Sequence, residues 1–247
     1  MCTASWLHQP DGFELFCNRD ERRTRRPALP PQVTALRGVQ TIAPRDGDFG
    51  GSWISVNEFG LALSLLNLYQ AQSNSNREFT SRGLLLMELA DCRCREEVTE
   101  RISKTSLEKF QPFTLLTLTP NEVALIVQWN GRACAIDRDG DARMPLTSSS
   151  FDSGKVIEAR KQQFSELPLP AGINTEVLLG FHRSHDPAPG AYSVCMHRPD
   201  AETVSFSRVK VASDCVTFSY HPHAPCREGK AVNIKIQRQN QLEDDGV

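Results

Sequence analysis

The chain has 247 residues, enough for one domain with a substantial core or two small ones. Its formal net charge of −2 excludes a broad electrostatic footprint for nucleic acid, and recurring apolar runs at 39% hydrophobic content read as globular, not disordered. No stretch approaches the ~20 apolar residues a membrane span needs, and the opening Met1-Cys2-Thr3-Ala4-Ser5-Trp6 lacks the basic and apolar regions of a secretory signal.

A cytoplasmic protein is therefore expected, with most of its eight scattered cysteines free and buried. Residues 1–20 read as two short strands, Trp6-Leu7-His8 and Phe13 to Cys17, around a turn at Pro10-Asp11-Gly12. The second delivers into Asn18-Arg19-Asp20-Glu21. The basic run Arg22 to Arg26, followed by Pro27, Pro30 and Pro31, reads as an exposed loop. Gly50 to Asn57 reads as a glycine-led strand, Glu58-Phe59-Gly60 as its turn and Leu61 to Asn67 as its hairpin partner; Ser73 to Arg77 is loop-like. Helical spacing predicts helices over Ser81–Asp91 and Arg95–Thr105.

The period then changes. Phe113–Thr119, Val123–Trp129 and Arg132–Asp137 read as strands, the last entered through the hairpin signal Asn130-Gly131. After a turn at Arg138 to Asp141 comes Leu146 to Ser150. Phe151-Asp152-Ser153 caps a helix from Gly154 to about Leu167, its period carried by Val156, Ile157, Arg160 and Phe164. Strands are predicted at Ala191–His197, Thr203–Val211, Val216–Tyr220 and Val232–Gln237. The polar tail from about residue 239 reads as frayed. With no repeat and no clear linker, residues 1–247 make one α+β domain with a mostly antiparallel sheet system.

Three segments resemble the NRDE family, also called Transport and Golgi organisation protein 2-like. They are Met1-Cys2-Thr3 with Phe16-Cys17-Asn18-Arg19-Asp20-Glu21, then Gly50-Gly51-Ser52-Trp53 continuing to Leu66-Asn67, and Leu146-Thr147-Ser148-Ser149-Ser150 before a helix. The resemblance implies an Ntn-hydrolase fold, an αββα sandwich of two antiparallel sheets between helix layers. More distantly, Val56 to Asn67 is similar to a segment of the choloylglycine hydrolase and penicillin acylase family, whose closing asparagine helps bind an oxyanion and whose nucleophile is an N-terminal Cys.

The resemblance implies catalytic roles for Cys2, Arg19, Asp20 and Asn67 and binding roles for Asn18, Glu21, Trp53 and Ser148. Removing Met1 would expose an α-amine, of ordinary pKa ~7.7–8.0, as base for the thiol of the same residue. Arg19 would favour the thiolate, Asp20 would hold the amine or the arginine, and Asn67 would donate to the oxyanion. The reaction implied is hydrolysis of a non-peptide amide through a thioester. The enzymes place their arginine and aspartate three positions apart. By register from Phe16, Asn18 and Glu21 take those places, so that both pairings stand. Ser148 replaces an asparagine of theirs, and Tyr192-Ser193-Val194-Cys195 offers no equivalent of their late arginine.

These departures leave a second function open: a non-catalytic binding or trafficking protein using the same pocket for haem or acyl-lipid ligands. Arg22 to Arg26 is either a solvated loop or a rim that attracts an anion. Trp53 and Trp129 also suit the core, Arg19 with Asp20 a structural ion pair, and Asn67 a turn. No cofactor and no metal are expected: Cys92-Arg93-Cys94 and the pairs His182/His185 and His221/His223, the latter near Cys226, lack the spacing of a zinc module, and the histidines read as surface loop residues. The expected partner is a small molecule, acylated or haem-like.

Overall fold

The apolar alternation of the strand segments leaves each with one or two faces to bury, and the chain meets that need with two stacked sheets. A computed structural model describes residues 2–71, 78–168 and 172–239; the expected loop at 73–77 and nearly all of the expected frayed tail lie outside them. The first sheet contains β1 (Cys2–Gln9), β2 (Gly12–Arg22), β10 (Leu146–Ser148), β11 (Ala201–Val211), β12 (Cys215–His221) and β13 (Val232–Gln237), in the order β10-β1-β2-β11-β12-β13. The second runs in simple sequence order through β3 (Leu29–Leu36), β4 (Val39–Arg45), β5 (Ile54–Asn57), β6 (Ala62–Asn67), β7 (Phe113–Leu118), β8 (Leu125–Trp129) and β9 (Cys134–Asp137). Every pairing is antiparallel.

Period two sends alternate side chains to opposite faces. Ala4, Trp6, Phe13, Leu15, Val209 and Phe218 of the first sheet meet Ile42, Ile54, Val56, Leu116 and Ile126 of the second between the layers. The outer face of the second sheet is covered by α1 (Arg82–Leu89) and α2 (Arg95–Ser103) through Leu85, Leu86, Leu89, Val98 and Ile102. The outer face of the first is covered by α3 (Ser153–Ser165) and α4 (Thr175–Arg183), where Phe164, Leu178 and Phe181 pack on Phe16 and Phe206. The layers are α, β, β, α. No helix among the described residues is long and apolar enough to cross a membrane.

Three expectations are corrected. The proline-marked loop contains β3, with Pro30 and Pro31 in it; it is an edge strand, and its pairing with β4 is interrupted between Leu29 and Gln32, where the two prolines supply no N–H. The predicted strand at 191–197 is irregular. Its polar groups are committed elsewhere: Cys195 donates its N–H to the Ser184 carbonyl (2.9 Å) and the Val194 carbonyl accepts from Asn18 (3.0 Å). Helix α4 had no assignment, although Asn174 caps it by accepting from the Val177 N–H at 3.0 Å. All eight cysteines are unpaired, and Cys2, Cys17, Cys92 and Cys195 are buried.

His182 is not a loop histidine. It sits on α4 fully buried, between the Ser5 hydroxyl (2.9 Å) and the Asn18 side-chain oxygen (3.1 Å), with Phe16, Phe181 and Phe206 around its ring. Burial, aided by the nearby Arg160 cation, pulls its pKa from 6.5 down to about 3. Between those values the unfolded chain binds the proton and the folded one does not. Stability present above pH 6.5 is therefore lost as pH falls toward about 3, by up to ~1.4 kcal/mol per pH unit. Urea unfolding across that range is expected to show this slope, and His182→Gln is expected to flatten it.

Candidate active site

Strand β1 lies between β10 and β2, which places Cys2 opposite Ser148 on one side and Arg19 on the other. The Cys2 backbone N–H donates to the Ser148 hydroxyl at 3.1 Å. Ser148 therefore holds the main chain of Cys2. Cys17, two positions before Arg19, comes up beside Cys2. Its thiol hydrogen-bonds to the ionised form of Cys2, which holds the Cys2 thiol below its ordinary value despite burial, with Arg19 acting in the same direction. Cys17 is pushed well above the ordinary value, first by its role as that donor and then by burial. Of the two thiols, Cys2 ionises first.

Arg19 reaches across the gap between the sheets. Its guanidinium stacks 4.2 Å from the centre of the Trp53 ring and donates to Asp46 at 2.6 Å, with Glu21 at 3.5 Å. Asp46 is a hub. It also accepts from Arg25 (2.8 and 2.7 Å) and from the N–H groups of Asp48 and Phe49 (3.1 and 2.9 Å). Burial works to raise its carboxyl, but the Phe49 N–H and the two guanidinium groups outweigh it and keep Asp46 below the usual carboxylate range.

Asp20, next in sequence, points to the opposite face of β2. It does not pair with Arg19. It accepts from the Thr203 hydroxyl (2.7 Å) and faces Arg160 of α3 at 3.2 Å, both partners being fully buried. Arg160 also donates to Thr3 (2.8 Å), Thr147 (3.3 Å) and the Ala191 carbonyl (3.3 Å). The expected Arg19–Asp20 ion pair is thus replaced by two, because adjacent strand residues cannot share a face. Asn18 is corrected likewise. Its amide donates to the His182 and Val194 carbonyls (2.9 and 3.0 Å) on the helix side, away from the cavity, so it is an anchor and not a ligand contact.

Beside Cys2 opens a cavity of about 450 Å³ lined by Cys2, Arg19, Asp20, Glu21, Trp53 and Asn67, together with Arg22, Arg25, Arg82, Phe49 and Tyr69. Six of the eight residues singled out from the sequence meet there. One N–H of the Asn67 amide donates to the Tyr69 hydroxyl at 2.7 Å, which leaves its second for another acceptor. Trp53 is largely buried, and its indole N–H finds no acceptor among the described residues.

The glycines of the Gly-Gly-Ser-Trp run have separate reasons: Gly50 takes a left-handed φ of 70°, and Gly51 is required by close approach. A Cβ on Gly51 would come within 2.4 Å of the Gly83 backbone, where the Ser52 N–H donates to the Gly83 carbonyl at 3.1 Å. That contact brings the start of α1, and Arg82, to the cavity wall. Arg82, Asp46 and Arg160 escaped sequence reasoning as site residues. Arg160 alone carried a signal, as a charge on the buried stripe of a helix. Neither Arg22 nor Arg82 has a carboxylate in ion-pair contact among the described residues, and burial pulls the Arg82 guanidinium below its usual value.

The sequence model described as Transport and Golgi organisation 2 matches residues 1–176. A search of curated proteins finds no match in sequence. Among solved structures, a variant of the conjugated bile acid hydrolase from Clostridium perfringens matches with a TM-score of 0.53 at 12% identity, covering 98% of this chain and 97% of its own. A second variant of that enzyme matches at 0.52 and 14%, covering 99% and 100%. At this identity the likeness establishes the fold, which is that of the Ntn-hydrolases.

Two outcomes test this geometry. Cys17→Ala removes the donor to the Cys2 thiolate, so the pH midpoint for Cys2 alkylation, followed by peptide mass spectrometry, is expected to rise. Arg160→Met removes the guanidinium that faces the buried Asp20 carboxylate and is expected to cost about 3–5 kcal/mol in urea unfolding.

Proposed function

The chain belongs to the Transport and Golgi organisation 2 family, and on that footing we propose that its cavity takes a small acylated anion whose amide bond Cys2 hydrolyses once Met1 is removed. The observation that carries this reading is the Cys2 thiol, lowered by its neighbours and lying in the cavity opposite Arg19. Arg22 and Arg82, which have no carboxylate in ion-pair contact among the described residues, suit a negative group on the ligand, and Phe49 and Trp53 suit its apolar part.

The chemistry follows from placement. The freed α-amine takes the thiol proton, and the thiolate attacks the amide carbonyl carbon. Negative charge gathers on the carbonyl oxygen, to which the second N–H of Asn67 donates. The tetrahedral adduct collapses, the C–N bond breaks, and the leaving nitrogen takes the proton from the ammonium. Water, deprotonated by the same amine, then cleaves the thioester and returns the thiol. Ser148, which accepts from the Cys2 nitrogen, fixes the lone pair's direction. The Asp20–Arg160 pair keeps the start of β1 seated through Thr3. Its role is positioning.

A second reading has its own support. The cationic and aromatic lining serves binding whether or not a bond is cut, which suits a carrier of haem or acyl-lipid anions.

Cys2→Ala separates the two. For a hydrolase, protein lacking Met1 is expected to turn over members of a panel of anionic N-acyl amides, and the variant is expected to lose turnover at least 10³-fold while still binding them. No turnover by the wild type, together with saturable binding of haem or acyl thioesters by both proteins, establishes the carrier instead. Arg82→Met is expected to weaken binding in either case, read as a rise in KM or Kd of roughly tenfold.

A further inference from the structure

Outside the cavity, four metal-ligating side chains from three separated segments converge. His185 follows α4, Cys195 and His197 lie in the irregular stretch before β11, and Cys226 lies in the loop between β12 and β13. Their ligand atoms all fall within 4.8 Å of one another. The His197 Nε2 is 3.5 Å from the Cys195 sulfur and 3.4 Å from the Cys226 sulfur, and the His185 and His197 rings stand 5.0 Å apart. Four ligands on a tetrahedral zinc ion place a sulfur and a nitrogen about 3.6 Å apart. The two S···N separations already meet that figure, and the remaining pairs need to close by at most about 1.5 Å.

Two further observations concern orientation. The His185 Nε2 is buried and has no hydrogen-bond partner among the described residues, a costly state for an imidazole nitrogen unless something binds it. His197 turns its other nitrogen, Nδ1, toward the Glu202 carboxylate at 4.0 Å, while its Nε2 faces both sulfurs. A carboxylate behind a ligating histidine is the usual way its tautomer and ring direction are set. Glu202 is itself held by Arg23 (2.8 Å) and Arg227 (3.1 Å).

We propose that His185, Cys195, His197 and Cys226 bind one structural zinc ion. Two thiolates and two imidazoles are the donor set zinc prefers, and four protein ligands close the coordination sphere, leaving no position for substrate. The ion would pin the loop carrying Cys226 and the segment 184–197 to the end of β11. Neither has a sheet ladder of its own, apart from the isolated bridge between His197 and Glu202. The site does not depend on whether Cys2 is catalytic.

The test uses the full chain, with thiols reduced, loaded with zinc and then freed of loosely held metal. Elemental analysis is expected to find roughly one zinc per chain in the wild type and in the control Cys94→Ser/Cys134→Ser, and none in Cys195→Ser/Cys226→Ser. Cobalt loading of the wild type is expected to give thiolate charge-transfer and intense tetrahedral bands. This readout stands if the double variant fails to fold. Strong chelator is expected to lower the wild-type Tm. Wild type that retains no zinc, retention undiminished in a folded Cys195→Ser/Cys226→Ser variant, or a Cys195–Cys226 disulfide in place of bound metal would each overturn the proposal.

Discussion

Strand β2 is buried on both faces, and that constraint organises the molecule. From Gly12 to Asp20 every residue is buried, yet its second half carries Asn18, Arg19 and Asp20 in succession. A buried polar group without a partner costs several kcal/mol, and a buried charge more. Each of the three must therefore be met by fixed groups from another layer. Asn18 and Asp20, on the helix side, draw in α4 and α3 through His182, Val194 and Arg160. Arg19, on the inter-sheet side, draws in Asp46 and Trp53 from the connection between β4 and β5 of the second sheet. The run that marks the site in sequence is also what ties three layers together.

The same bookkeeping shapes the cavity's charge. Asp46 is occupied by Arg19 and Arg25, and Asp20 by Arg160 behind the strand. An ion pair as deeply buried as Asp20–Arg160 adds little net stability by itself. Its value here is that Thr3, Thr147 and the Ala191 carbonyl accept from Arg160 while Thr203 donates to Asp20, which ties the start of β1 to the helix layer. Cys2 is the residue immediately before Thr3. Its main-chain position is set by a network in which Arg160, Thr3, Thr147 and Thr203 lie outside the cavity lining.

How much of this was legible follows from range. Cys2, Arg19, Trp53 and Asn67 were readable because they sit in compact motifs with local patterning, and strand alternation carried most of the sheet assignments. The failures are all long-range or positional. Pro30 and Pro31 forbid an inner strand but not an edge one, and nothing local says which β3 would be. The segment 191–197 has strand composition but no free partner. Arg82 owes its role to a Gly51–Gly83 contact across two elements, and Asp46 to Arg19, which reaches it from the other sheet. His182 looked like a loop residue because α4 was missed. Adjacent Arg19 and Asp20 suggested a pair, when strand geometry sends them to opposite faces.

The segment between α4 and β11 shows what takes the place of a ladder. Its carbonyls at Ala191 and Val194 are claimed by Arg160 and Asn18, and the Met196 N–H donates to the Thr203 hydroxyl, which in turn donates to Asp20. Met196 lies between Cys195 and His197. The cluster of soft ligands and the buried Asp20 are therefore joined by one residue's backbone and one threonine. Shifting the segment by an ångström would break the Met196–Thr203 bonds that orient the Thr203 hydroxyl toward Asp20, so whatever holds Cys195 and His197 also steadies the floor beneath Cys2. That is a physical reason for an irregular stretch to carry a dense set of side-chain anchors: without a neighbouring strand, position has to come from ligands and hydrogen bonds, one atom at a time.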